Sequence, residues 1–150
     1  MSDGLKLFEI SGIVKLATAD PVGACNHRHL AALYTGKSAG FEKIHGLVDR
    51  IFQLLDIAPT AAVAAASVTI SKATSGNVGS LNNDGRQYII RPFLSETFFP
   101  GRSAEILYDD GKGGGAKVIG CMGILHPKVL QNFELSYPCS IVEMSIMDFV

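Results

Sequence analysis

The sequence predicts an α+β domain, a mainly antiparallel sheet flanked by helices. Short segments with period-two alternation cluster around turn-forming residues, as hairpin-linked strands do. Against them stands one long segment, residues 41–56, whose apolar residues recur at helical spacing. Of the 150 residues, 47% are hydrophobic and 18% charged, which supplies one domain with a core of its own and excludes a disordered chain.

Residues 6–11, KLFEIS, read as a short first strand. Asp20, Pro21 and Gly23 mark a loop, and residues 28–34, RHLAALY, read as a second strand, with helix left open by their leucine and alanine. Thr35 to Gly40 forms a turn. In residues 41–56, Ile44, Leu47, Val48, Ile51 and Leu55 make one amphipathic stripe. Glu42 suits the first turn and Pro59 lies beyond the end. Phe41 and Phe52 widen the apolar surface past that stripe, which suggests something to pack against besides the sheet.

Residues 60–86 change composition, from Ala-rich to Gly-, Ser- and Asn-rich, and are expected to be a flexible surface insertion with at most a weak strand near Val68 to Ile70. Strands return at Tyr88–Arg91 and at 103–108, where Ala104, Ile106 and Tyr108 share a side. Asp109 to Gly115 is a hairpin connection and 117–124 its partner strand. Pro127 opens a short helix carrying Val129, Leu130 and Phe133. Residues 140–147 alternate, with Val142, Met144 and Ile146 on one face and Glu143 and Ser145 on the other.

A formal net charge of −1 offers no sequence-independent grip on nucleic acid. No apolar run approaches the length that spans a bilayer, and the N-terminus lacks a basic stretch followed by an apolar one, so neither a membrane nor a secretory route is expected. Cys25, Cys121 and Cys139 are odd in number and lack CxxC spacing, which argues against a disulfide framework or a zinc site and fits a reduced, cytosolic setting.

Motifs that could carry chemistry read better as structure. Gly36-Lys37-Ser38 ends like a phosphate-binding loop, but position 31 is Ala31 where that loop needs glycine, so a turn is expected. Gly111 to Gly115 lies between strands with no helix behind it to hold an anion. His27 and His29 share a strand face, with Cys25 nearby, but no carboxylate stands at a ligating spacing and no metal is expected. His45 reads as a rim residue of the helix, and His126 as a backbone partner at a strand-to-helix turn rather than a general base. Cys121 and Cys139 read as structural thiols. In the segment Phe98-Phe99-Pro100-Gly101-Arg102-Ser103-Ala104-Glu105, a tight strand start is expected, with Phe98 or Phe99 in the core and Arg102 paired locally; a recognition surface is the alternative.

Several segments together, in order, resemble the C-terminal part of the phenylalanyl-tRNA synthetase beta subunit in its archaeal and eukaryotic cytosolic form. They are KLFEIS, NHRHLAALY, GFEKIHGLVDRIFQLLDI, FFPGRSAEI, and GILHPKVLQNFEL followed by YPCSIVEMSI. The residues Phe99, Pro100, Gly101, Arg102, Glu105, Gly123, His126 and Pro127 carry the more specific motifs, in a structural capacity. Residues 60–86 depart from the pattern. The resemblance implies that residues 1–150 are a single catalytic-like domain, a fragment of a longer beta subunit.

It further implies a class II aminoacyl-tRNA synthetase catalytic fold without its active site. Class II activation uses an Arg-x-Glu strand motif and a glycine-rich segment ending in arginine, whose cations stabilise phosphate charge. No Arg-x-Glu occurs here, and Gly120-Cys121-Met122-Gly123 leads to Leu125 and His126. No catalytic residue and no cofactor are therefore expected on this chain. The complete enzyme would use ATP and magnesium at the alpha subunit, in an alpha-two beta-two assembly that meets tRNA only as a whole. Phe41, Ile44, Val48 and Phe52 are the expected subunit interface. Two other readings compete: a stand-alone adaptor or small-ligand-binding module on the same fold, and a small enzyme using His126 and Arg102.

Overall fold

A computed structural model describes residues 4–60 and 85–149. Among the described residues, seven strands and two helices follow in the order β1 (Leu5–Leu16), β2 (Ala24–Thr35), α1 (Phe41–Leu54), β3 (Ala58–Pro59), β4 (Gln87–Pro92), β5 (Phe98–Asp109), β6 (Lys117–Leu125), α2 (Pro127–Asn132) and β7 (Cys139–Ser145). The strands form one sheet in the order β1-β2-β7-β6-β5-β4-β3. Every pairing is antiparallel except the two-residue contact of β3 with β4, which makes the sheet mixed. The expected insertion lies mostly outside the described residues, as does its expected strand at Val68 to Ile70.

The first hairpin is longer than the sequence suggested. β1 and β2 pair over twelve residues each, from Leu5 opposite Thr35 to Leu16 opposite Ala24. Its turn is where Asp20 and Gly23 placed it: the Val22 amide donates to Asp20 Oδ1 (3.0 Å) and Gly23 takes φ 73°. β5 likewise begins at Phe98, five residues earlier than expected, because an irregularity between Phe98 and Ser103 keeps it on β6. β7 ends at Ser145, so Ile146 leaves the ladder half-buried while Val142 and Met144 are buried as expected.

Helix α1 packs over β2, β6 and β7. Its buried face is Ile44, Val48 and Phe52, an i, i+4, i+8 line. Leu47, expected in the stripe, is instead exposed, and Phe52 fills the middle of the core. The Phe52 ring stacks on Tyr88 with centroids 4.3 Å apart and meets Phe149 edge-on. The helix starts at Gly40, whose φ of 62° and position 2.3 Å (from an added Cβ) against the Tyr34 ring leave room for glycine alone. Asp56, at φ 55°, turns the chain out of the helix after Leu54.

The two sheet faces differ. Under α1, Ala32, Tyr34, Tyr88, Ala104, Ile106, Tyr108, Met122, Val142 and Met144 form the main core. The opposite face has a smaller cluster, Phe98, Leu125 and Cys139, covered by Val129 and Leu130 of α2. Phe133, read on the same helix, caps it and is exposed. Elsewhere on this second face Ala31, Arg91 and Glu143 are exposed.

Candidate functional site

The strand registers set one row of side chains across this second face. Ala31 of β2 lies opposite Glu143 of β7, Glu143 opposite Cys121 of β6, Cys121 opposite Glu105 of β5, and Glu105 opposite Arg91 of β4. Glu143 Oε1 lies 3.0 Å from His29 Nδ1. Arg91 Nη2 donates to Glu105 Oε2 at 2.6 Å. Cys121 sits between two carboxylates: burial first, then Glu143 and Glu105, push its thiol up, so it is a poor nucleophile. A phosphate site needs converging cations. This row has the opposite sign, and its arginine is held by Glu105. Such a row repels phosphate, and among the described residues no three His, Cys, Asp or Glu side chains converge on a metal position.

The motif residues build a joint between β5, β6 and α2. Phe98 is buried and meets Phe93 edge-on, while Phe99 is exposed and lies over the His126 ring. Gly101, at φ 72°, follows Pro100 in the irregular part of β5. Gly123 passes under Phe98 so closely that a Cβ there would lie 2.6 Å from its ring. His126 caps α2, its Nδ1 accepting the Lys128 amide at 3.1 Å, and Pro127 fills the first helical position. The backbone role expected of His126 is what the geometry gives. Local pairing was expected of Arg102, but Glu105 is taken by Arg91 across the strands and Arg102 is exposed.

The expected interface residues lie inside the chain. Ile44, Val48 and Phe52 are buried against the sheet, and Phe41 is half-buried against the same core. Ile44, Val48 and Phe52 therefore have almost no surface to offer a partner, while Phe41 keeps part of its own. Six exposed large apolar side chains fall on β1. Leu5 and Leu7 point to one face of this strand and Phe8, Ile10, Val14 and Leu16 to the other, all exposed; Phe8 is 78% accessible. Beside it runs a groove of about 490 Å³, lined by Lys6, Leu7, Phe8 and Tyr34 and walled by Lys43, Ile44 and Leu47 of α1. The signal was legible in KLFEIS, which is apolar on both parities where a one-sided strand would alternate.

A second hollow, about 520 Å³, is lined by Gly46, Asp49, Arg50, Gln53, Ile57, Pro59 and Tyr88. Asp49 accepts from the Tyr88 hydroxyl (2.9 Å) and faces His45 Nδ1 at 3.1 Å. His45 is thus paired within its own helix. Burial pushes the Asp49 carboxyl up, but the bonds from His45 and Tyr88 outweigh it and hold its pKa below 3.8. The bond to Asp49, against burial, lifts His45 above 6.5. Burial and then Asp49 hold the Tyr88 phenol well above its ordinary value. Neither hollow is lined by His126 or Arg102. Gly36, Lys37 and Ser38 form the expected bend between β2 and α1, and the three cysteines are free thiols.

The family described as "Phenylalanyl tRNA synthetase beta chain CLM domain" matches residues 1–146. The chain is 41% identical over 146 residues to the phenylalanine–tRNA ligase beta subunit of Mus musculus, covering 97% of this chain and 20% of that protein. The Drosophila melanogaster beta subunit gives the same identity and coverage. The cytoplasmic beta subunit of Arabidopsis thaliana is 42% identical over 142 residues, 95% of this chain and 21% of its own. The chain therefore spans about a fifth of the length of these curated relatives. A family match across residues 1–146 and identities near 40% over nearly the whole chain lead to one conclusion: the chain belongs to the phenylalanyl-tRNA synthetase beta chain family.

Proposed function

We propose that this chain is the C-terminal, catalytic-like module of the beta subunit and that it supports assembly with the catalytic alpha subunit rather than activating phenylalanine itself. On this reading its sheet is a class II synthetase platform whose active site has been lost. The alpha subunit holds ATP and magnesium in a cytosolic alpha-two beta-two enzyme, and tRNA is engaged by the whole assembly. The observation that carries the proposal is β1: a twelve-residue edge strand, apolar on both faces, beside an apolar groove. Such an edge left open is a pairing and aggregation hazard, and natural proteins cover it.

Burying one large apolar side chain contributes about 1.5–3 kcal/mol. Phe8→Glu and Leu47→Glu replace that gain with a charge to be desolvated, so each should weaken co-purification with the alpha subunit by about 10–100-fold while leaving the core residues untouched. Wild-type assembly by both variants would remove the docking role of this surface. ATP–pyrophosphate exchange by the chain alone would remove the non-catalytic reading.

A further inference from the structure

His27 and His29 of β2 are not used by any role described above. They stand two residues apart on a strand, so their side chains project from the same face with about 6.6 Å between them along the chain. Both are partly buried, and the His29 side chain is 12% exposed. His29 Nδ1 lies 3.0 Å from Glu143 Oε1, and a carboxylate there can only accept. The proton is therefore on Nδ1 and a lone pair is on Nε2. That Nε2 is buried and, among the described residues, has no hydrogen-bond partner, and the same holds for His27 Nδ1. Leaving a buried polar atom unmade costs about 1–3 kcal/mol, so two of them on one strand face call for a common electron-pair acceptor.

We propose that His27 and His29 bind a divalent transition cation, Zn²⁺, through these two nitrogens. Imidazole suits this borderline cation, and a carboxylate behind a ligating histidine is the usual way its tautomer and orientation are fixed. Glu143 supplies that carboxylate from β7 and offsets part of the cation's charge. Among the described residues no third His, Cys, Asp or Glu joins them, so water fills the remaining positions. The site is weaker than a three- or four-ligand structural zinc site. Cys25 occupies the next same-face position of β2 but lies outside the pair.

Zn²⁺ titrated into the folded chain should bind at one equivalent, and the His27 and His29 ring resonances should shift on addition. His27→Ala and His29→Ala should each weaken binding at least tenfold. Glu143→Gln should weaken it by about 10–100-fold. Cys25→Ser should leave affinity unchanged, and Co²⁺ bound in place of Zn²⁺ should show no intense thiolate charge-transfer band. The ring resonances report on the wild-type chain and need no variant to fold. Absent saturable binding, ring signals that stay put, or affinity that follows Cys25 instead of the histidines would each overturn the site and leave the two lone pairs to buried water.

Discussion

Adding one methyl group at Gly120 should cost more than removing most side chains of the surface. Gly120 lies in β6, opposite Met144 of β7 and Ile106 of β5, in the middle of the sheet. A Cβ built there would lie 2.2 Å from the Glu143 carbonyl oxygen, 2.4 Å from Met144 Cβ and 2.6 Å from Met144 Cα. Carbon contacts relax near 3.5 Å, so β7 must retreat by roughly 1.2 Å. The neighbour is backbone and cannot swing aside. Moving that far takes adjacent ladder bonds from about 2.9 Å to beyond hydrogen-bond range. Two net bonds of about 1 kcal/mol each, with overpacking of about 1–3 kcal/mol, put Gly120→Ala at about 3–5 kcal/mol of lost stability. Gly46→Ala is the internal control. It lies within α1 with nothing within 4 Å of an added Cβ, and should stabilise by about 0.8–1 kcal/mol. Equilibrium urea unfolding followed by far-ultraviolet circular dichroism measures both. A Gly120→Ala midpoint within about 1 kcal/mol of wild type, at an unchanged slope, would refute the close β6–β7 approach.

The His45–Asp49 pair gives a pH signature. His45, with its pKa raised, contributes stability that is fully present below 6.5 and lost as pH rises through its folded value; Asp49, with its pKa lowered, contributes stability present above 3.8 and lost as pH falls through its own. The pair is therefore strongest between those values, and both groups are partly solvated, so the effect is small. Asp49→Asn should cost about 0.5 kcal/mol more at pH 5.5 than at pH 8.5, read as the gap between wild-type and variant unfolding free energies; a gap independent of pH would dismiss the pairing. Phe52→Ala removes a fully buried ring stacked on Tyr88 and should cost about 3–5 kcal/mol in the same unfolding assay, whereas a cost under 1 kcal/mol would mean that α1 does not pack as described.

How far the sequence reached depended on whether the deciding contact was local. The α1 helix, the Asp109–Gly115 turn and the Pro127 helix start each depend on residues within a few positions, and all three were legible. The phase of α1 was not. Leu47 and Phe52 both fit a broad apolar face, and only Tyr88 and Phe149, which supply ring partners from distant segments, decide that Phe52 turns inward. The length of the first hairpin escaped for a related reason. The outer half of β1 is exposed almost throughout, so the alternation that marks a half-buried strand is missing there, and cross-strand bonding to β2 extends it. The open carboxylate row was hidden too. Glu143, Cys121 and Glu105 are far apart in sequence and become neighbours through strand register.

The position of β7 between β2 and β6 has a consequence for the order of folding. The β1–β2 hairpin with α1 and the β4–β5–β6 meander are each continuous stretches that a ribosome could release early. They share no ladder until Cys139–Ser145 slides between them and supplies hydrogen bonds to both sides. Until that late strand emerges, two half-sheets wait with their inner edges unpaired, and a nascent chain stalled before Cys139 would be the species that chaperones recognise.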